Sequence, residues 1–372
     1  MDIYKTAVLG TSGAGKTLLL ASLYNKLAIQ KREVGFFLDA PQHQRALLAD
    51  KYAQARDHGR PFPRGNQSKE LQSYEFTCTV RSAGKAAVPV LKFMYLDYAG
   101  GDLTHAEAQE GSSSVQFLAD EVKNAHALLV LLDGHKLLYH MRGENPGNLI
   151  SFTHELDLLL PLVQESATAS KPVHFVITKW DLLEGEHSLA QVRDKLLKHE
   201  DFRAIVEDRG LTPTRLVPVS ALGSGFTRLN AEGHVEKVPG AEARPFMVEG
   251  CLGCLLFDLF QDTRQRIDRR MQNPLYICWR AVVMLIYQFG WMGVGALERA
   301  LVPTSGIIGP TAGGIMYHVL TETVGQPRAG RGSLYPEAVI RQYEALEGVI
   351  RAQQRFLEDF ERRFPDSRLT QF

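Results

Sequence analysis

Charge of one sign is what this sequence most plainly lacks: 42 Lys and Arg residues stand against 42 Asp and Glu, and the pI is about 7.2. No bulk attraction to nucleic acid or to an anionic bilayer follows, so a basic nucleic-acid binder is disfavoured. Cysteine is scarce, with only Cys78, Cys251, Cys254 and Cys278, which argues against a disulfide framework. The opening Met-Asp-Ile-Tyr-Lys-Thr lacks the basic-then-apolar order of a signal peptide, and a reducing cytoplasm is the expected compartment. Cys251 and Cys254 spell C-x-x-C, but they fall in the apolar stretch Val248 to Phe257, which reads as a buried helix. A zinc site would need a second ligand pair.

At 372 residues the chain exceeds what one core usually organises, so a domain of about 250 residues with an appended part is expected. Ile3 to Leu9 is a short apolar run ending in a glycine-rich turn, and Thr17 to Leu27 places Leu18, Leu19, Leu20, Leu23 and Leu27 at helical spacing. From Ala28 to Ser73 the chain is more polar and carries Gly59, Pro61, Pro63 and Gly65, which reads as a long mobile insertion with an amphipathic helix through Leu47, Leu48 and Tyr52. Tyr74, Phe76, Cys78 and Val80 then alternate with polar neighbours, and Val88 to Leu96 is a second apolar run. Only a few residues join these two strands, too few for a parallel crossover, so they are predicted antiparallel. Further strands are predicted at Ala127 to Leu132, Val173 to Ile177 and Arg215 to Val219, with helices through Leu149 to Val163 and Leu189 to Leu197. The expected fold is α/β, a mostly parallel sheet with one antiparallel strand.

Four motifs carry chemistry. Gly10-Thr11-Ser12-Gly13-Ala14-Gly15-Lys16-Thr17 matches G-x-x-x-x-G-K-[ST] and sits between an apolar strand and a helix, where the mechanism requires it. Its glycines let backbone N–H groups curl around a β-phosphate, and the helix N-terminus adds its positive dipole end. Lys16 reaches the β- and γ-phosphates, and the Thr17 hydroxyl ligates Mg²⁺. Asp97-Tyr98-Ala99-Gly100 matches D-x-x-G at a strand end: Asp97 holds the Mg²⁺ through a water while the Gly100 amide senses the γ-phosphate. Lys16 and Gly100 are the candidate catalytic groups, and Thr17 and Asp97 the candidate metal ligands.

Thr178-Lys179-Trp180-Asp181 matches [NT]-K-x-D and selects the base. A carboxylate at Asp181 accepts from guanine N1–H and the exocyclic amine together, but meets only acceptors and a C–H on the corresponding adenine edge. Lys179 can lay its aliphatic stem over the purine. Ser220-Ala221-Leu222 follows the last predicted strand and fits the S-A-x element whose backbone contacts guanine O6; ligands of such sheets bind beyond the carboxyl ends of the strands.

These motifs, in this order and with an antiparallel strand between the first two, resemble a small Ras-like GTPase of the translation-factor-related (TRAFAC) class over Met1 to Arg270. Arg244-Pro245-Phe246-Met247-Val248-Glu249-Gly250, leading into an apolar helix, is also similar to bacterial double-GTPase-type domains. The resemblance implies a three-layer P-loop NTPase fold that binds GTP and GDP with Mg²⁺ and hydrolyses GTP slowly. It also implies two switch loops that signal to a protein effector or mediate self-association. Two departures bear on turnover. Gly101 stands where Ras-like members carry a water-positioning Gln, and no threonine lies between Ala28 and Ser73 to serve the metal, Ser68 being the nearest hydroxyl. Arg56, Arg60 and Arg64 in that region are solvated surface residues or, alternatively, supply a finger in cis. The rival readings are a scaffold that binds nucleotide without turnover, and an ATPase of the same fold in which Asp181 is accidental.

The expected domains are residues 1–270, binding nucleotide, and 271–372, a mainly helical C-terminal extension. Within the extension Ala281 to Leu297 and Ala300 to Thr321 carry no Asp, Glu, Lys or Arg. The first run is slightly short for a membrane crossing and the second is interrupted by Pro303, Gly306, Gly309, Pro310, Gly313 and Gly314. Burial against protein is therefore expected, with shallow membrane contact through 281–321, and a membrane-peripheral location, as the alternative. Pro336 to Phe364 returns to a polar helix with Ile340, Tyr343, Leu346, Ile350, Leu357, Phe360 and Phe364 along one side.

Overall fold

Every apolar run read as a strand forms one. The computed structural model describes residues 3–31, 33–65, 72–81, 87–97, 113–144, 150–166, 171–210, 212, 214–257 and 335–370. Seven strands, β1 (Ile3–Leu9), β2 (Phe37–Asp39), β3 (Gln72–Val80), β4 (Val88–Asp97), β5 (Ala127–Asp133), β6 (Val173–Thr178) and β7 (Thr214–Pro218), make one sheet in the order β2-β3-β4-β1-β5-β6-β7. β1 runs parallel to β4 and β5, and β5, β6 and β7 continue in the same sense. β3 is antiparallel to both neighbours, the one reversed strand anticipated from its short link to β4. β5, β6 and β7 are buried along their whole length, and none shows the period-two alternation of a strand buried on one face only. β3, by contrast, alternates, with Tyr74, Phe76 and Cys78 inward. A separate hairpin joins β8 (Thr227–Leu229) to β9 (Val235–Lys237).

Helices flank the sheet: α1 (Lys16–Leu27), α2 (Gln42–Arg56), α3 (Ser113–Asn124), α4 (Gly134–Arg142), α5 (Phe152–Ser166), α6 (Leu189–Leu196) and α7 (Glu200–Asp208). Residues 248–257 form α8, and Tyr335–Arg363 forms α9. Local chemistry sets several of their ends. The Asp133 carboxylate caps α4 by accepting from the His135 N–H at 3.0 Å, and Ser188 with Gln191 forms a capping box at α6.

The reading of 28–73 as an insertion needs correction, because β2 and α2 occupy its first half. β2 is only three residues long and shows no periodicity to detect, while α2 buries Gln44, Leu48, Tyr52 and Ala55 and leaves Leu47 37 % exposed. Of the predicted helical stripe, then, Leu48 and Tyr52 face inward and Leu47 does not.

The chain divides into two compact units, residues 2–259 with 348–372, and residue 1 with 260–347. Of the second, only the helical residues 335–347 are described. The last residues of the chain therefore share a unit with the sheet. Gln353, fully buried on α9, donates from Nε2 to the Val34 carbonyl at 2.6 Å. Ala352 lies where a side chain on Gly35 (φ +82°) would project. Beyond α9, Arg368 bridges to Arg215 and the Leu369 N–H donates to the Thr214 carbonyl at 2.9 Å, so the C-terminal tail covers the outer edge of β7. Gln353→Leu should lower stability by about 1 kcal/mol, because it leaves the Val34 carbonyl buried without its donor. The midpoint of urea unfolding measures this, and an unchanged midpoint would exclude it.

The two uncharged runs between 281 and 321, and Cys278, lie outside the described residues. Among the described residues no helix is long and apolar enough to cross a membrane.

Candidate functional site

Parallel strands end on one side of the sheet, and the predicted site residues that are described follow those strand ends. The phosphate-loop motif follows β1 and runs into α1. Gly13 and Gly15 adopt φ of +83° and +85°, backbone that L side chains rarely adopt, and a side chain on Gly10 would press against Leu131 Cβ at 3.1 Å. Thr11 and Ala14 are fully buried and Ser12 is exposed. Lys16 Nζ donates to the Gly10 carbonyl at 2.6 Å and the Thr11 carbonyl at 3.1 Å, folded over the loop. Burial lowers its pKa, with Asp97 and Glu155 pulling the other way.

Asp97, at the end of β4, accepts from the Thr17 hydroxyl at 3.0 Å. It is fully buried, its pKa is raised by desolvation against the opposing pull of Lys16 and the Thr17 bond, and its Oδ1 has no hydrogen-bond partner among the described residues. A hydroxyl and a carboxylate side by side, one oxygen unengaged, suit a small hard cation. Among the described residues no cluster of three or more His, Cys, Asp or Glu could hold a metal. Cys251 and Cys254 are buried on α8 and form no disulfide among the described residues, and burial pushes the Cys251 thiol well up. Gly100, Gly101 and Ser68 lie outside the described residues.

The base-side residues meet the loop from the neighbouring strands. Thr178 closes β6, its hydroxyl donating to the Leu132 carbonyl at 3.2 Å. Lys179 takes φ +50° and places Nζ 2.8 Å from the Asp133 carboxylate. Trp180 N–H donates to the Val219 carbonyl at 3.0 Å, tying this loop to the one after β7. Ser220 is fastened by backbone bonds to Phe246 in both directions, and its Oγ accepts from the Gly223 N–H at 2.8 Å. The Ala221 carbonyl accepts from Ser22 of α1 at 2.8 Å. Asp181 Oδ2 accepts from the Thr227 hydroxyl at 2.6 Å.

Asp133 was missed in the sequence although its signal matches that of Asp97, a carboxylate closing an apolar strand. Thr227 had no signal: the hairpin it opens brings it to Asp181 from 46 positions away. The same hairpin holds the chain leading toward β3. Lys237 Nζ donates to the carbonyls of Gln54, Asp57 and Arg60 at 3.0, 2.7 and 2.8 Å and lies 4.8 Å from the Phe62 ring. His58 rests 5.2 Å from Phe226. Of the three arginines there, Arg56 stacks on Tyr52 of its own helix at 5.2 Å, and all three are exposed.

No curated protein matches the sequence. The profile of the Double-GTPase 2 family matches residues 6–216, from β1 through β7 and more than half of the chain, and covers the phosphate loop, Asp97 and Thr178 to Asp181. The chain belongs to the Double-GTPase 2 family and carries a P-loop GTPase domain.

Proposed function

We propose that the protein is a guanine-nucleotide switch that binds GTP and GDP with Mg²⁺ and hydrolyses GTP slowly. The observation that carries this reading is the meeting, at one end of the sheet, of a buried Thr17–Asp97 pair beside the phosphate loop with the Lys179–Asp181 loop. In this reading Gly10 to Thr17 surround the phosphates with backbone N–H groups, and Lys16 leaves the Gly10 and Thr11 carbonyls to meet the β- and γ-phosphates. Thr17 and Asp97 hold Mg²⁺, which would neutralise charge developing on the phosphate oxygens. Asp181 accepts from the guanine edge while Thr227 donates to its Oδ2 and fixes the plane of the carboxylate. Ser220 and Ala221 present backbone to O6, and Thr178 anchors the loop to β5.

Signalling would run through two switch loops, the segments preceding β3 and following β4 in the sequence, to a protein effector or a second copy of the chain. With Gly101 offering no side chain to orient water, single turnover of the purified chain should be about 10⁻⁴ to 10⁻² per second. Quantifying the nucleotide that co-purifies, then following one round of hydrolysis, checks both parts. Adenine nucleotide in place of guanine would refute the base assignment, and brisk turnover would refute the rate.

A second reading, a scaffold that binds nucleotide without turning it over, is favoured by the same Gly101 and by the absence of threonine from 28–73. Bound GTP that persists through prolonged incubation with Mg²⁺ would select it.

A further inference from the structure

A buried polar network lies against the phosphate loop and includes three charged residues, Lys136, Glu155 and Asp133, that belong to none of the four motifs. Lys136 in the first turn of α4 and Glu155 in the first turn of α5 form an ion pair at 2.6 Å, with side chains 4 % and 0 % exposed. Glu155 Oε2 also accepts from the Thr11 hydroxyl at 2.6 Å, and that hydroxyl accepts from Lys136 Nζ at 2.9 Å. Glu155 Oε1 accepts from the Asp133 backbone N–H at 2.8 Å, and the Asp133 carboxylate holds Lys179 Nζ at 2.8 Å. A line of short bonds thus runs from the phosphate loop through one carboxylate to the end of β5 and on to the base-side lysine.

Helix packing alone gives no reason for this arrangement. Desolvating two charges is costly, and a well-packed apolar pair of similar volume is often as stabilising or more so. What an apolar pair cannot do is accept from the Thr11 hydroxyl and the Asp133 amide at once. Every oxygen of Glu155 is used, and both of its non-ionic partners flank the site: Thr11 is a loop residue, and the Asp133 carboxylate faces Gly13 at 3.9 Å from where a side chain would begin.

We propose that Glu155, neutralised by Lys136, is a positioning residue of the nucleotide site. It holds Thr11 on the phosphate side and Asp133 with Lys179 on the base side in one register, so that phosphates and purine meet partners already arranged. The proposal rests on the guanine-nucleotide reading above.

The test replaces both charges together, Glu155→Met with Lys136→Met, in the full chain. The pair is net neutral, so the charge behind the phosphates does not change and no buried charge is left alone. The double variant should fold but melt somewhat lower, because the buried Thr11 hydroxyl and Asp133 N–H lose their acceptor. At a temperature where it is fully folded it should bind GDP about tenfold or more weakly, with a narrowed preference for GDP over ADP because the carboxylate that holds Lys179 is no longer fixed. A folded double variant with wild-type GDP affinity and base preference would overturn the proposal. Should that variant not fold, Thr11→Val removes one hydroxyl and leaves the ion pair in place: weaker GDP binding supports the positioning role, and unchanged binding overturns it. Failure of the wild-type chain to bind GDP would instead refute the underlying reading.

Discussion

Asp181→Asn should exchange the protein's preference for guanine for one for xanthine. Asp181 Oδ2 already accepts from Thr227, so the oxygen of the new amide keeps that bond and its NH₂ turns toward the base. There it opposes the N–H donors of guanine, whereas the 2-oxygen of xanthine can accept from it. Two hydrogen bonds to a charged acceptor are lost, roughly 3–6 kcal/mol or about 10²- to 10⁴-fold in GTP affinity. Xanthosine triphosphate should bind the variant more tightly than GTP does. Titrations of wild type and variant with both nucleotides measure the exchange, and a variant with wild-type GTP affinity would remove Asp181 from the base site.

Gly134→Ala is the second large effect, and it acts through the backbone. A Cβ at Gly134 would lie 2.0 Å from the Thr178 carbonyl oxygen, 3.0 Å from Leu183 and 3.1 Å from the Lys179 carbonyl. No rotamer relieves a collision with main chain, so β6 must separate from the start of α4 at the point where the base loop begins. The expected loss is about 3 kcal/mol or more of stability, accompanied by weakened guanine binding, because Thr178 and Lys179 are the residues displaced. Gly185→Ala is the control: nothing lies within 4 Å of its added carbon, and it should be close to neutral. Equal unfolding midpoints for the two variants would show that the Gly134 contact is not the constraint described.

Both effects follow from how tightly the ends of β5, β6 and β7 are interlocked. Asp133 joins Lys179, Trp180 joins Val219, and Ser220 joins Phe246, so one displaced strand end disturbs its neighbours. Gly223 shows the same closeness on the other side, where an added carbon would meet the Arg244 carbonyl at 1.8 Å. Such crowding lets short loops present several polar groups at once.

The amino-acid order by itself determined the longer strands β1 and β3 to β7, the reversed sense of β3, and the four motifs; the three-residue strands β2, β8 and β9 left no such signal. Period-two alternation in β3, the unbroken apolar run Ala127 to Leu132 in β5, and the glycines of the phosphate loop are consequences of local sterics and of burial on one face or two. Such signals survive in one dimension because each residue answers to its immediate neighbours. Only the tertiary structure decided which side chains work together across the chain. Glu155 and Lys136 look like ordinary surface charges on two amphipathic helices, and the stacking of those helices over the loop is what buries and pairs them. Thr227 reaches Asp181, Lys237 reaches the carbonyls at the end of α2, and Gln353 reaches Val34 across 319 positions, for the same reason. A long-range hydrogen bond leaves no periodic trace, because its partners are selected by where the packed elements end and not by spacing along the chain.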